Sequence, residues 1–259
     1  MAVALDSERQ PRDLVIVIDW RYRPRGVLVY YVRTEPYGDD VYAHRALEVL
    51  DVAERAAYER IGSAPARRDY LAAHVLARTI LGDLLGADAS RIRFRTMPGG
   101  RPELASPVVA PPLRFSLAHA DGVALCAVTA GRTVGADVES DANLGPDPEG
   151  VAATICSDAE LEALRQLPAV ERARRFLSLW TEKEALVEAL GIGFRRPFAR
   201  SPIPGTRWTV TSLRLTPHHV AAIAVVSLPG ETIPIRVAEA ACFDGATLSR
   251  AYRGASLSL

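Results

Sequence analysis

Two carboxylates are spaced so that they could share a metal ion. Asp137 and Glu139 flank Val138 in a stretch that predicts a β-strand, so both side chains lie on one face with their Cα atoms about 7 Å apart. Like charges at this spacing repel unless a cation neutralises them, and Mg²⁺ takes carboxylate oxygens together with phosphate and water. A solvated strand edge can carry the same short pattern. The pair alone therefore leaves a metal site and a surface edge both open.

Lys183 is the one lysine among thirty-one basic residues, and the other thirty are arginines. Its presence suggests a site that needs a compact, mobile charge rather than a planar guanidinium. It lies in a predicted helix, beside Glu184 and at the edge of an apolar stripe that includes Trp180. With Glu184 as a third metal ligand and Lys183 on a phosphate oxygen, the set would suit phosphoryl transfer. The alternative is an amphipathic helix whose charged residues are solvated.

A histidine at the end of a predicted strand is the third candidate. His119 precedes Asp121-Gly122, a dipeptide that favours a tight turn, and a strand end lets a side chain reach a ligand. A single histidine is more often structural. The other histidines show no zinc-type spacing, and Cys126, Cys156 and Cys242 are too far apart for a metal motif, so we expect reduced, structural cysteines.

Hydrophobic periodicity predicts the elements that would position these residues. A capping box from Ser157 to Glu160 predicts a helix start, and Gly191 predicts the end of a helix over residues 169–190. The other predicted helices are Ala43–Arg60 and Ala66–Leu85, and the predicted strands are Asp13–Trp20 and Gly26–Val32 (as a hairpin), Leu113–Leu117, Val123–Thr129, Val134–Val138, Trp208–Leu215, Val220–Leu228 and Ile233–Ala238. This order predicts an α+β fold of two similar halves, residues 1–130 and 131–259, the second carrying the acids.

Composition narrows the function classes. The 31 acidic and 31 basic residues balance, so the chain has no overall charge with which to bind nucleic acid or an anionic membrane. It has neither a basic start followed by an apolar stretch nor an apolar run of about 18 residues. We therefore expect a cytoplasmic protein with no membrane or nucleic-acid partner.

Three motifs, taken in order, resemble the 4′-phosphopantetheinyl transferases. They are Phe115-Ser-Leu-Ala-His-Ala-Asp-Gly122, Val134-Gly-Ala-Asp-Val-Glu139 and Phe176-x-x-x-Trp180-x-x-Lys183-Glu184-Ala185. Their order and spacing are similar to those of the large, pseudo-dimeric type, which activates peptide and polyketide synthases. The resemblance covers roughly residues 47–194.

The resemblance implies a fold of two α+β halves related by a pseudo-two-fold axis, with coenzyme A bound between them. It implies that Mg²⁺ bridges the coenzyme A pyrophosphate to Asp137, Glu139 and Glu184. It also implies that His119 touches the phosphates and that the segment Gly100-Arg101-Pro102 borders the nucleotide. Basic residues near Arg67 and Arg68 would meet the 3′-phosphate.

The reaction that the resemblance implies is transfer of the phosphopantetheine arm to a serine of an apo acyl or peptidyl carrier protein, with release of adenosine 3′,5′-bisphosphate. Glu184, directly or through a metal-bound water, is the candidate general base. Lys183 and His119 would assist it at the phosphates, where Mg²⁺ also stabilises charge. An internal pseudo-dimer is consistent with a monomer.

Three positions depart from the family pattern. Glu188 stands where a second lysine is usual, Ala118 where serine is frequent before His119, and Asp69 where arginine is usual. Each removes a donor or a positive charge from the expected coenzyme A side. The alternative is therefore the same fold with lost or altered transfer activity, which binds a carrier protein or a coenzyme A derivative. A metal-dependent nuclease is disfavoured because a basic groove is absent from the pattern.

Overall fold

The computed structural model describes residues 26–97, 100–144, 148–191 and 207–240. The helices are α1 (Asp40–Val49), α2 (Val52–Arg60), α3 (Ala64–Leu85), α4 (Pro148–Ile155), α5 (Asp158–Arg165) and α6 (Ala169–Leu190). The strands are β1 (Val27–Arg33), β2 (Arg93–Thr96), β3 (Pro102–Ser106), β4 (Leu113–Ala120), β5 (Val123–Ala130), β6 (Val134–Ser140), β7 (Trp208–Arg214), β8 (His219–Val226) and β9 (Ile235–Glu239). The α+β class predicted from the sequence is confirmed.

The first sheet has the strand order β4-β5-β1-β9 and is covered by α3. Strand β1 pairs antiparallel with β5, whereas β9 joins the other edge of β1 in parallel, from Val27↔Ile235 to Tyr31↔Glu239. Strand β5 is buried along almost its whole length, which explains the apolar run over residues 123–128. The last described strand therefore completes a sheet made mostly of early residues.

The second sheet has the order β6-β8-β7, with antiparallel pairing throughout, and α6 packs on it. Small residues make this packing close, because Ala185 and Ala189 of α6 contact Ala222 and Ala224 of β8. Between the two sheets lies a shared apolar layer, in which Val29 and Leu125 belong to the same buried cluster as the second-sheet residues. Helices α3 and α6 thus pack on these two sheets, whose facing residues form the shared apolar layer.

Helices α3 and α6 are counterparts in length and in how they end. Each has 22 residues and each is capped by a glycine in the left-handed region, Gly86 at φ +62° and Gly191 at φ +64°. Glycine adopts this conformation without steric cost. The predicted end of α6 at Gly191 and the capping box of Ser157 and Glu160 on α5 are both confirmed.

One helix prediction is wrong. Residues 43–60 do not form a single helix, because the chain breaks at Leu50 and restarts at Asp51. Asp51 accepts a hydrogen bond from the Glu54 amide at 3.0 Å, and the Glu54 carboxylate accepts one from the Asp51 amide at 2.9 Å. This reciprocal cap stabilises a new helix start more than the apolar spacing favours continuity.

Some predictions stay open. The strand Asp13–Trp20, its hairpin and Cys242 lie outside the described residues, whereas Cys126 and Cys156 are buried free thiols. Among the helices that the structure describes, none has the length and apolar character needed to span a membrane. The pseudo-two-fold axis and the division at residue 130 remain predictions.

Candidate active site

Helix α6 lies directly against β6 because position 135 has no side chain. A Cβ atom at Gly135 would stand 2.1 Å from the carbonyl oxygen of Ala185 and 2.3 Å from the amide nitrogen of Ala189. These are backbone atoms, so no side-chain rotation could relieve the overlap. The contact fixes the part of α6 that carries Glu184 beside the strand that carries Asp137.

Four carboxylates lie near this contact and influence one another electrostatically, and we call them the acidic cluster: Asp137, Glu139, Glu184 and Glu188. Burial raises the pKa of Asp137 well above its usual range, and the charges of Glu139 and Glu184 raise it further. The Oδ2 atom of Asp137 is buried and accepts no hydrogen bond. A buried, unsatisfied carboxylate oxygen among like charges is an arrangement that a cation would stabilise.

Glu184 and Glu139 are poised differently within the acidic cluster. Burial, followed by the charges of Glu139 and Glu188, raises the pKa of Glu184 to about 7. Burial also raises the pKa of Glu139, although Trp180 counteracts this by donating a hydrogen bond from Nε1 to Oε1 at 3.0 Å. Glu184 thus combines a raised pKa with a place beside Asp137, which makes it a candidate general base.

The acidic cluster fits Mg²⁺ in charge and in ligand type, since hard cations prefer carboxylate oxygens. The side chains do not yet converge: across the described ranges, no three His, Cys, Asp or Glu side chains are grouped closely enough to hold one ion. Asp137, Glu139 and Glu184 could hold the metal only after their side chains rotate. Their assignment as ligands remains a prediction.

Lys183 does not point at the acidic cluster in this structure. Its ammonium group donates to both carboxylate oxygens of Glu160 on α5, each at 3.0 Å. Glu160 also accepts a hydrogen bond of 2.7 Å from the Ser157 amide, so one carboxylate both caps α5 and holds the lysine. Glu160 is therefore the ionic partner of Lys183 in this structure, and the predicted contact of Lys183 with a phosphate stays a prediction.

His119 lines a cavity of about 520 Å³ together with Gly100, Tyr70 and His74. Part of the His119 surface is open to this cavity. Desolvation by the surrounding protein nevertheless lowers the pKa of the imidazole, and the charge of Asp69 raises that pKa by a smaller amount. The predicted site residues Gly100 and His119, far apart in sequence, are thus brought to one cavity.

Sequence reasoning missed an ion network below this cavity. Arg78 is fully buried and donates from Nε to Glu54 Oε2 at 2.8 Å and from Nη2 to Asp51 Oδ2 at 2.9 Å. The other oxygen of Glu54 lies 2.8 Å from Nδ1 of His74, and the His74 ring stacks on Tyr70. The spacing of Asp51 and Glu54 as a helix cap, with His74 and Arg78 one turn apart, was the available signal.

The two arginines predicted to bind coenzyme A have protein partners. Arg68 donates from Nε to the Thr34 hydroxyl at 3.2 Å. Arg101 donates to the Ala189 carbonyl at 3.1 Å and to Glu103 at 3.0 Å, which ties β3 to the end of α6. Burial raises the pKa of Glu188, and the charge of Arg101 lowers it, so these two side chains are close. Arg101 thus borders the acidic cluster.

Asp69 has a structural role that its sequence position did not reveal. It is 4% exposed, and its carboxylate accepts hydrogen bonds from the Thr34 hydroxyl and, at 3.2 Å, from the Gly122 amide. The sequence suggested a charge change at the ligand. The structure instead places this carboxylate inside the protein, behind the turn that follows His119.

Comparison with known proteins agrees with this geometry. Residues 133–237, which include the acidic cluster and Lys183, match the model of the 4′-phosphopantetheinyl transferase superfamily. The 4′-phosphopantetheinyl transferase HetI of Nostoc sp. is 32% identical over 171 residues, which cover 61% of this chain and 71% of that relative. The chain belongs to the 4′-phosphopantetheinyl transferase superfamily. A second relative, the 4′-phosphopantetheinyl transferase pptA of Paxillus involutus, is 29% identical over 151 residues, which cover 48% of this chain and 56% of the relative.

Membership of the 4′-phosphopantetheinyl transferase superfamily confirms the resemblance drawn from the three motifs, and with it the expectation of a transferase that uses coenzyme A and carrier proteins. The matched region holds Asp137, Glu139, Lys183 and Glu184. The cavity with His119 and Gly100 lies before it.

Proposed function

We propose that this chain is an Mg²⁺-dependent transferase that moves the 4′-phosphopantetheine arm of coenzyme A to a serine hydroxyl of an apo acyl or peptidyl carrier protein. The observation that carries the proposal is the buried, unpartnered Oδ2 of Asp137 within the acidic cluster. The cluster is bordered by Arg101, whose neighbour Gly100 lines the cavity with His119. A nucleotide in that cavity would have its phosphates directed towards the acids.

The site residues would then bind the metal, bind the phosphates and accept a proton. Asp137, Glu139 and Glu184 would hold Mg²⁺, which supplies charge neutralisation at the pyrophosphate when bound. His119 lies on the cavity wall, where its imidazole would donate to a phosphate oxygen. Glu184 is our candidate to accept the proton of the serine hydroxyl as the oxygen attacks phosphorus. Adenosine 3′,5′-bisphosphate leaves.

Lys183 would contribute positive charge, although its ammonium group is paired with Glu160 of α5 in this structure. The Lys183 side chain is 20% exposed, and its ion pair with Glu160 joins it to α5. The charge of the ammonium group is therefore partly neutralised until a more negative phosphate competes for it. A lysine suits this exchange because its side chain is flexible and its charge is compact. We infer that Lys183 turns from Glu160 to the phosphate when coenzyme A is bound.

The same proposal includes the two-halved, monomeric architecture expected from the sequence. The equal lengths of α3 and α6 and their matching glycine caps support a pseudo-two-fold relation between residues 1–130 and 131–259. The pairing of β9 with β1 would then join the halves at a sheet edge. The nucleotide of coenzyme A would lie in the cavity of the first half, with its phosphates reaching the acidic cluster of the second half.

Mass spectrometry of apo carrier proteins tests the reaction. We expect incubation with coenzyme A and Mg²⁺ to add the mass of the arm to at least one carrier in a panel of acyl and peptidyl types, and EDTA to stop the addition. Asp137→Asn should lose transfer, whereas Glu171→Gln, an exposed change in the first turn of α6, should retain it. No addition to any carrier with metal and coenzyme A in excess would refute the transferase proposal.

A binding protein on the same fold is the second candidate, and Glu188 is the observation that favours it. Its carboxylate adds negative charge to the acidic cluster where the phosphates would lie. Calorimetry together with mass spectrometry of the carrier separates the two candidates. A binding protein binds coenzyme A or a carrier in calorimetry but adds no arm to the carrier.

A further inference from the structure

The turn after His119 is held far more firmly than a hairpin turn requires. Asp121 and Gly122 have φ values of +46° and +91°, and Asp121 is the one non-glycine residue with positive φ in the ranges that the structure describes. The flanking residues Ala120 and Val123 pair directly, so this is a two-residue hairpin loop. Asp-Gly already favours such a loop without outside help.

Asp69 holds the turn from the α3 side. Its Oδ2 accepts a hydrogen bond from the Gly122 amide at 3.2 Å, and its Oδ1 accepts one from the Thr34 hydroxyl. The Thr34 amide, in turn, donates to the Gly122 carbonyl at 2.9 Å. Both peptide groups of Gly122 are thus bound by the end of β1 and by a carboxylate buried in α3.

His219 of β8 holds the turn from the second sheet. Its Nε2 lies 3.2 Å from the carbonyl oxygen of Asp121, and its Nδ1 lies 2.8 Å from the Thr216 hydroxyl. A carbonyl can only accept, so Nε2 must carry the proton and donate. His219 is 9% exposed, so little water competes for this hydrogen bond.

The turn connects the two parts of the proposed active site. His119 stands two residues before it and lines the cavity. The carboxylate of Asp121 is close enough to raise the pKa of Glu139 in the acidic cluster. A rotation of this turn would therefore move His119 relative to the acids.

We propose that Asp69 and His219 are positioning residues, which hold the Asp121-Gly122 turn from opposite sides and fix where the His119 imidazole meets the phosphates of coenzyme A. This rests on the proposed transferase function for the identity of the ligand. The anchoring contacts themselves do not depend on it.

Paired variants of His219 test the proposal. In His219→Gln the side-chain amide places an N–H close to the position of Nε2, whereas His219→Leu keeps a similar size but removes the donor. We expect His219→Leu to lower the transfer rate about tenfold, the effect of losing one buried hydrogen bond, and His219→Gln to stay within about threefold of the original rate. The control is His218→Leu, because His218 is exposed and faces Asp141, 3.1 Å away, instead of the turn.

A double-mutant cycle with His119→Ala separates positioning from general stabilisation. If His219 acts through His119, His219→Leu should have almost no further effect on the rate in the His119→Ala protein. The same tenfold loss in both backgrounds would overturn the proposal. Asp69→Leu, which removes the acceptor of the Gly122 N–H, should behave as His219→Leu does in this cycle.

The NMR signal of the His119 ring gives a readout that is independent of transfer. The chain has five histidines, so ¹³C-histidine labelling gives few signals, and His119→Ala identifies the relevant one. We expect this signal to shift in His219→Leu and Asp69→Leu but not in His219→Gln. A shift without any transfer or coenzyme A binding by the original protein would refute the proposed function and keep the positioning role, whereas an unmoved signal would refute the positioning role.

Discussion

The contact at Gly135 predicts that a single methyl group would separate the catalytic helix from its strand. In Gly135→Ala the new Cβ would stand 2.1 Å from the Ala185 carbonyl oxygen and 2.3 Å from the Ala189 amide nitrogen, whereas ordinary contact begins at 3.4 Å. Helix α6 would therefore have to withdraw by about 1 Å. Overpacking of a core costs roughly 1–3 kcal/mol, and we expect about 3 kcal/mol here because both obstructing atoms are backbone.

The withdrawal should also reduce activity, because Glu184 precedes Ala185 on the displaced helix. A misplacement of about 1 Å costs roughly a hundredfold in rate when reacting groups must be aligned. We expect Gly135→Ala to lose about a hundredfold in transfer rate at temperatures where it is still folded. Circular dichroism during urea unfolding measures the free energy, and mass spectrometry of the carrier measures the rate.

A second glycine provides the matched control. Gly62 lies before α3, and a Cβ added there would meet no atom within 4 Å. Gly62→Ala should therefore leave both the unfolding free energy and the transfer rate nearly unchanged. If Gly135→Ala were as stable and as active as Gly62→Ala, α6 would not lie against β6 as described, and the geometry of the acidic cluster would have to be revised.

Three further predictions concern charged residues. Lys183→Ala should abolish transfer in the carrier assay, whereas Glu160→Gln, which releases the Lys183 ammonium, should keep most of the transfer activity. Transfer by Lys183→Ala would contradict the proposed role of the lysine. Glu188→Lys should tighten coenzyme A binding several-fold, as measured by calorimetry, because it replaces a carboxylate of the acidic cluster with a cation. An unchanged affinity would mean that Glu188 does not face the phosphates. Burial alone would raise the pKa of Glu54, but hydrogen bonds from His74 and Arg78 lower it below 4.5. The contribution of the Glu54 carboxylate to stability is therefore complete above pH 4.5 and is lost as the pH falls through the lowered pKa. Glu54→Gln should lower the free energy of unfolding by roughly 3 kcal/mol at pH 7, since it leaves the buried Arg78 with one carboxylate fewer. It should also flatten the pH dependence of urea unfolding below pH 4.5. If the variant kept the pH dependence of the original protein, Glu54 would not titrate as inferred.

The site was predictable where local sequence carries the information. The alternation of β6 placed Asp137 and Glu139 on one face, and the stripe of α6 placed Glu184 at the edge of the core. Strand and helix periodicity depend on neighbouring residues, so a single sequence reveals them. The end of α6 at Gly191 was predictable for the same reason.

What could not be predicted depends on long-range packing. Lys183 was expected near a phosphate, but its partner Glu160 lies 23 positions earlier on another helix. Asp69 looked like a lost ligand contact, yet its partners Thr34 and Gly122 are brought to it only by the assembled first sheet. Hydrophobic patterning gives no information about which distant polar groups will meet. The cap at Asp51, in contrast, depends on two residues three positions apart, so the signal for the helix break is present in the local sequence.

The parallel pairing of β9 with β1 has a consequence for synthesis of the chain on the ribosome. Tyr31 donates a hydrogen bond to Glu239 at 3.1 Å across 208 positions of sequence. At translation rates of about 5–20 residues per second, strand β1 emerges roughly 10–40 s before the strand that will cover its edge. During that interval the edge presents free peptide groups that can pair with other chains. The nascent protein should therefore depend on chaperones until residues 235–239 have left the exit tunnel.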